Sequence, residues 1–129
     1  MTYPIFLWKG YSNNDLYDFK TIFAPLNNVP LNSDNRNIDF LVHLTDFRYV
    51  VISALIKDTS GNKQRVTQTI PVDLIKTAPN TVFSVDKFLN PNYYACIEFH
   101  FPNVHTIEYI NAQCLGFASI WIDYIFAFK

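Results

Sequence analysis

Strict alternation of apolar and other side chains, with a period of two, constrains this chain more than any other feature. It recurs through most of the sequence, and a period of two is the signature of β-strands. The C-terminal stretch SIWIDYIFAFK (Ser119–Lys129) shows it best. Ile120, Ile122, Tyr124, Phe126 and Phe128 are expected on one face, and Trp121, Asp123, Ile125, Ala127 and Lys129 on the other. Both sets are substantially apolar, so this strand is expected to be covered on both sides.

A second clear unit is RYVVISALIKDTSGNKQRVTQTIPV. Its two β-branched runs, Arg48 to Lys57 and Gln64 to Ile70, flank DTSGN, where Gly61-Asn62 permits the positive φ of a hairpin loop. They are expected to pair antiparallel, with Arg65, Thr67 and Thr69 on a solvated face, until Pro71 ends the pairing for want of an N–H. Further strands are expected in Pro4 to Trp8, in NIDFLVHL (Asn37–Leu44), in NTVFSVDKF (Asn80–Phe88) and on both sides of a turn near Pro102. The segment SNNDLYDFKTIFAP (Ser12–Pro25) fits helical spacing through Leu16, Phe19 and Phe23, and strand spacing through Tyr17, Phe19, Thr21 and Phe23. Strand is preferred, because every other element is a strand. Asn27 to Asn37 reads as a polar loop. About eight short strands separated by turn signals define an all-β chain, an antiparallel, jelly-roll-like β-sandwich over residues 1–129 as a single domain. Three glycines in the whole chain leave few sites for the sharp corners of a barrel.

Composition narrows the function classes. Aromatic residues make up 17% and charged residues only 16%, against about 25% charged in average chains. That apolar excess points to surfaces that meet other chains. A net charge of −1 with scattered basic residues argues against nucleic acid, whose binding depends on clustered Lys and Arg. No apolar run approaches the length of a membrane helix, and MTYPIFLWKG lacks the basic and cleavage regions of a signal peptide. Cytoplasmic synthesis is therefore expected, with Cys96 and Cys114 as reduced thiols. No Gly-x-Ser-x-Gly elbow or phosphate loop occurs, so no enzymatic activity and no cofactor are expected.

Two constellations remain. In ACIEFHFPNVHTIEY (Ala95–Tyr109), a turn centred on Pro102-Asn103 would set Phe101 opposite Val104, His100 opposite His105 and Glu98 opposite Ile107. Glu98, His100 and His105 would then share one face, a ligand set suited to zinc or non-haem iron, while Glu108 would face away. The alternative is an outward polar face behind a buried set of Ala95, Ile97, Phe99 and Phe101. That reading is preferred, because a functional metal also needs outer partners and a cavity. The second constellation is aromatic. Trp8, Tyr93, Tyr94 and Trp121 are candidate anchors for a protein interface or, with nearby Asn, a stacking platform for glycans. The sequence resembles no recognised family. The leading expectation is a structural or assembly protein packing against copies of itself or partner chains, such as a small tail, baseplate or capsid-associated subunit incorporated into a virion. A carbohydrate- or receptor-binding module and a metal-binding domain are the alternatives.

Overall fold

The computed structural model describes residues 5–9, 23–24, 27–29, 37–40 and 42–129. Its ten strand segments are β1 (Ile5–Lys9), β2 (Phe23–Ala24), β3 (Asn27–Val29), β4 (Asn37–Asp39), β5 (Tyr49–Lys57), β6 (Lys63–Pro71), β7 (Phe83–Asn90), β8 (Tyr93–Asn103), β9 (Thr106–Leu115) and β10 (Ser119–Phe128). They form two antiparallel sheets. In the first, β10 lies between β5 and an edge shared by β1 and β2, and β6 closes the other side. In the second, β9 lies between β8 and an edge shared by β3 and β4, and β7 closes the other side. Each shared edge counts as one lane, so the expected eight strands appear as four lanes per sheet. Early strands pair with late ones, β1 with β10 and β4 with β9, within the expected antiparallel sandwich. The β5–β6 hairpin and the β7–β8–β9 meander are simple up-and-down units.

Side-chain parity builds the core. Ala95, Ile97, Phe99 and Phe101 of β8 all face inward, as expected, and meet Val50, Ile52, Ala54 and Ile56 of β5 within one continuous apolar cluster. The β5–β6 hairpin also follows the sequence. Its nine residue pairs run from Tyr49–Pro71 to Lys57–Lys63, and Gly61 takes φ +92° in the loop. The Asp58 carboxylate accepts from the N–H groups of Ser60 and Asn62, both at 2.9 Å.

Elsewhere the structure corrects the expected pattern. On β10 a β-bulge falls between Ile122 and Tyr124. One extra residue reverses the parity beyond it, so the core receives Ile120, Ile122, Ile125 and Ala127 instead of Tyr124, Phe126 and Phe128. The expected strand over Asn37–Leu44 is a strand only to Asp39. A 3-10 turn, Leu44–Asp46, follows, and the N–H groups of Phe40 and Leu44 donate to the carbonyls of His105 and Val104 at 2.6 and 2.7 Å. Asn27–Val29, expected as loop, pairs with Ala112–Cys114. Of the segment Ser12–Pro25, Phe23–Ala24 is strand, and the rest lies outside the described residues.

Helix α1 (Val72–Thr77) turns the corner from β6 to β7. Pro71 precedes it in extended conformation, Asp73 lies in its first turn and Lys76 in its last, the charge order that suits the helix dipole. Val72 and Ile75, three residues apart, are buried. Six residues are too few to print a helical period on the sequence.

Candidate interaction surface

The outer face of the second sheet divides into an apolar end and a polar stretch. The apolar end is the tip of the β7–β8 hairpin with the end of β9. Phe88 is 67% exposed, Leu89 57% and Tyr93 47%, and Leu115 is exposed beside them. A register shift between Phe88 and Asn90 leaves Leu89 as an extra residue at the tip. The turn is tied by the Asn92 N–H, which donates to the Asn90 side-chain oxygen at 2.8 Å.

Two ring contacts and one ladder pairing order this end of the sheet. Phe88 stacks on Tyr94 with ring centroids 6.3 Å apart and planes 26° apart. Tyr94 lies opposite Leu115 in the β8–β9 ladder. The Tyr93 ring meets buried Phe117 edge-on at 6.2 Å. Gly116, with φ +79°, lies against the Tyr93 ring and the Asn92 carbonyl so closely that a Cβ would collide with both. A residue with a side chain would therefore be excluded twice over, by backbone conformation and by space. The tip is an exposed apolar knuckle in which Phe88 rests on Tyr94 and Tyr93 on Phe117.

Tyr93 and Tyr94, singled out from the sequence, both belong to this surface. Phe88, Leu89 and Leu115 were not singled out, although two consecutive apolar residues before Asn-Pro-Asn break the alternation and mark the spot. The two tryptophans lie elsewhere. Trp121, on the outer side of the first sheet, is only 5% exposed, and the Lys63 ammonium sits 5.6 Å from its ring centroid. It offers no open ring face to a partner. Trp8 lies opposite Ile125 at the β1–β10 edge, and its side chain lies outside the described residues.

The polar stretch overturns the expected hairpin pairing. The β8–β9 turn is centred on Val104-His105, and His100 lies opposite Glu108. Two features of the sequence cause this. The Asn103 side chain accepts from the His105 N–H at 2.9 Å, which closes a turn two residues later than Pro102-Asn103 would. Phe101 and Pro102 together oppose the single residue Ile107 between the pairs His100–Glu108 and Asn103–Thr106, and such a bulge accommodates a proline without an N–H. Glu108, expected to face away, is instead the partner of His100, with Nε2 to Oε2 at 3.1 Å.

Glu98 accepts a long hydrogen bond, 3.5 Å, from Asn111. His105 stacks on His43 with centroids 5.0 Å apart. Glu98, His100 and His105 thus have separate partners and do not converge. No group of three or more His, Cys, Asp or Glu side chains suited to holding a metal occurs among the described residues.

The thiols lack nucleophilic character. Burial, then the charges of Glu98 and Asp86, push the Cys96 thiol up to about 11, against the lowering effect of a hydrogen bond with Ser84. Burial chiefly raises Cys114 to about 12. Cys96 is on the outer face and Cys114 in the core, and neither forms a disulfide.

No protein-family model matches this chain, and no curated protein matches it.

Proposed function

We propose that the chain is a non-enzymatic assembly protein, a small sandwich that packs against copies of itself or partner chains. The observation that carries this reading is the exposed apolar tip of Phe88, Leu89, Tyr93 and Leu115, with Phe88 stacked on half-buried Tyr94. Contiguous apolar side chains held rigidly in water mark contact surfaces, and rigid aromatic anchors lose little entropy when covered. The thiols, pushed well above neutral pH, supply no nucleophile. A tail, baseplate or capsid-associated subunit fits a domain of this size, since jelly-roll-like sandwiches serve in capsids.

Replacing Phe88 and Leu89 together by serine tests this. The expected result is a loss of association, measured as mass in solution above the 15.0 kDa of one chain and as partners recovered from the native source. The unfolding midpoint should hardly move. A strict monomer over the micromolar range that brings down no partner contradicts the proposal.

A further inference from the structure

A cleft of about 480 Å³ opens where the 3-10 turn and the start of β5 meet the end of β6 and α1. Small-molecule sites typically enclose about 300–1,000 Å³. The β5–β6 ladder supplies one wall, since Tyr49 lies opposite Pro71 at its last pair. The Tyr49 ring rests against Phe128 with centroids 5.4 Å apart, and the residue is still 38% exposed. Thr45 enters from the 3-10 turn, and α1 brings in Asp73 and Lys76.

Arg48 gives this cleft its chemistry. Its backbone is tied on both sides: the N–H donates to the Phe128 carbonyl at 3.0 Å, and the carbonyl accepts from the Val72 N–H at 2.8 Å. Its exposed guanidinium has no hydrogen-bond or ion-pair partner among the described residues. Lys76, by contrast, is paired with Asp73, Nζ to Oδ1 at 3.5 Å. The Asp73 side chain is 93% exposed, so acceptor positions on its carboxylate stay open. The cleft thus combines one unbalanced cation with an open acceptor, a hydroxyl at Thr45 and a ring at Tyr49. A guanidinium binds a carboxylate through paired N–H donors, an acceptor beside it takes a hydroxyl, and a tyrosine ring suits the apolar face of a sugar. A phosphate ester fits less well, because its charge of about −1.5 to −2 exceeds the single free cation and meets Asp73.

We propose that this cleft binds a uronic acid, a sugar that carries one carboxylate among its hydroxyls. The carboxylate sits on the Arg48 guanidinium, one hydroxyl donates to Asp73, another exchanges a hydrogen bond with Thr45, and the sugar ring lies on Tyr49. The cleft shares no residue with the apolar tip, so the inference is independent of the assembly reading.

The test is a titration of the whole isotope-labelled chain, followed through its backbone amide NMR signals. The probes are glucuronate, glucose, cyclohexanecarboxylate and inorganic phosphate. Glucuronate should move the amide signals of residues 45–49 and 72–76 saturably, at millimolar concentrations. Glucose lacks the carboxylate and cyclohexanecarboxylate lacks the hydroxyls, so each should bind at least about tenfold more weakly. Arg48→Gln should weaken glucuronate about tenfold. Asp73→Ala should cut the preference for glucuronate over cyclohexanecarboxylate about threefold. Both positions are exposed, and the spectra of the free variants should show the wild-type fold. Methyl glucuronide stands for the end of a glycan chain and separates the two sources of this sugar. Binding at least as tight as that of glucuronate upholds the inference with chain ends as the ligand, and weaker binding upholds it with the free acid. Three results overturn the inference: no saturable shift at these residues, phosphate or cyclohexanecarboxylate binding as tightly as glucuronate, or unchanged binding by folded Arg48→Gln.

Discussion

The β7–β8–β9 meander carries aromatic side chains at both of its ends, and the two ends have opposite fates. At one end Phe83, Phe99, Phe101 and Tyr109 pack ring against ring with centroids 5.8 to 6.2 Å apart, and Phe99, Phe101 and Tyr109 are fully buried. At the other end Phe88 and Tyr93 are exposed, and Phe88 stacks on half-buried Tyr94. The residue types are alike, so hydrophobicity does not separate them. Parity separates Phe99 and Phe101, at inward positions of β8, from Tyr94, at an outward one, and from Phe88 opposite it; Tyr93 shares the inward parity and is exposed at the end of the strand, where its ring meets Phe117. A core aromatic supports the fold, whereas under the assembly proposal an outward aromatic at the hairpin tip serves a partner.

The largest effect expected from this contrast is at Phe99. Phe99→Ala should cost about 3–5 kcal/mol of stability, the range for a fully buried phenylalanine, read from urea unfolding. A cost below about 1 kcal/mol would mean that the buried cluster is not the structural end. Gly116→Ala should come next, at about 1–3 kcal/mol for a non-glycine residue in a left-handed, crowded position. It should also weaken partner recovery by displacing the Tyr93 ring, which links the small cost in stability to a loss at the tip. Phe88→Ser should change stability by no more than about 0.5 kcal/mol, as other exposed sites do, and yet reduce association. A large loss of stability there would erase the contrast.

The thiols give a gentler probe of the same sheet. Raising Cys96 from 9.0 to about 11 means a smaller thiolate fraction at any given pH, about a hundredfold smaller at pH 8. Native protein should react with a thiol reagent at least about a hundredfold more slowly than free cysteine at that pH. The rate should climb as pH rises toward 11, and unfolding in urea should abolish the difference. Labelling at the free-cysteine rate would show the outer face of β8 to be more open than described.

What the sequence discloses depends on where regular alternation persists. The β5–β6 hairpin was legible down to its loop, because Asp58, Gly61 and Asn62 are turn residues and nine uninterrupted pairs follow. The inward set of β8 was legible for the same reason. Bulges defeat that reading. One residue between Ile122 and Tyr124 reverses the inner and outer faces of β10, and the Phe101-Pro102 bulge exchanges the expected His100–His105 pair for His100–Glu108. Nothing in local spacing announces a bulge, since it is set by how two strands fit. The stack of His43 on His105 was illegible for a related reason: it joins residues 62 positions apart in sequence through the 3-10 turn beside β9. At the tip, Tyr93 and Tyr94 were visible as candidates, but their setting required the positive φ of Gly116 and the register of Leu115.

The most direct measurement is hydroxyl-radical footprinting of the chain, first dilute and then in the associated form. The account predicts that Phe88, Leu89 and Tyr93 are labelled in the dilute chain and protected on association, while Phe99 and Phe101 stay unlabelled in both. An associated form in which Phe88, Leu89 and Tyr93 remain as reactive as in the dilute chain would contradict it.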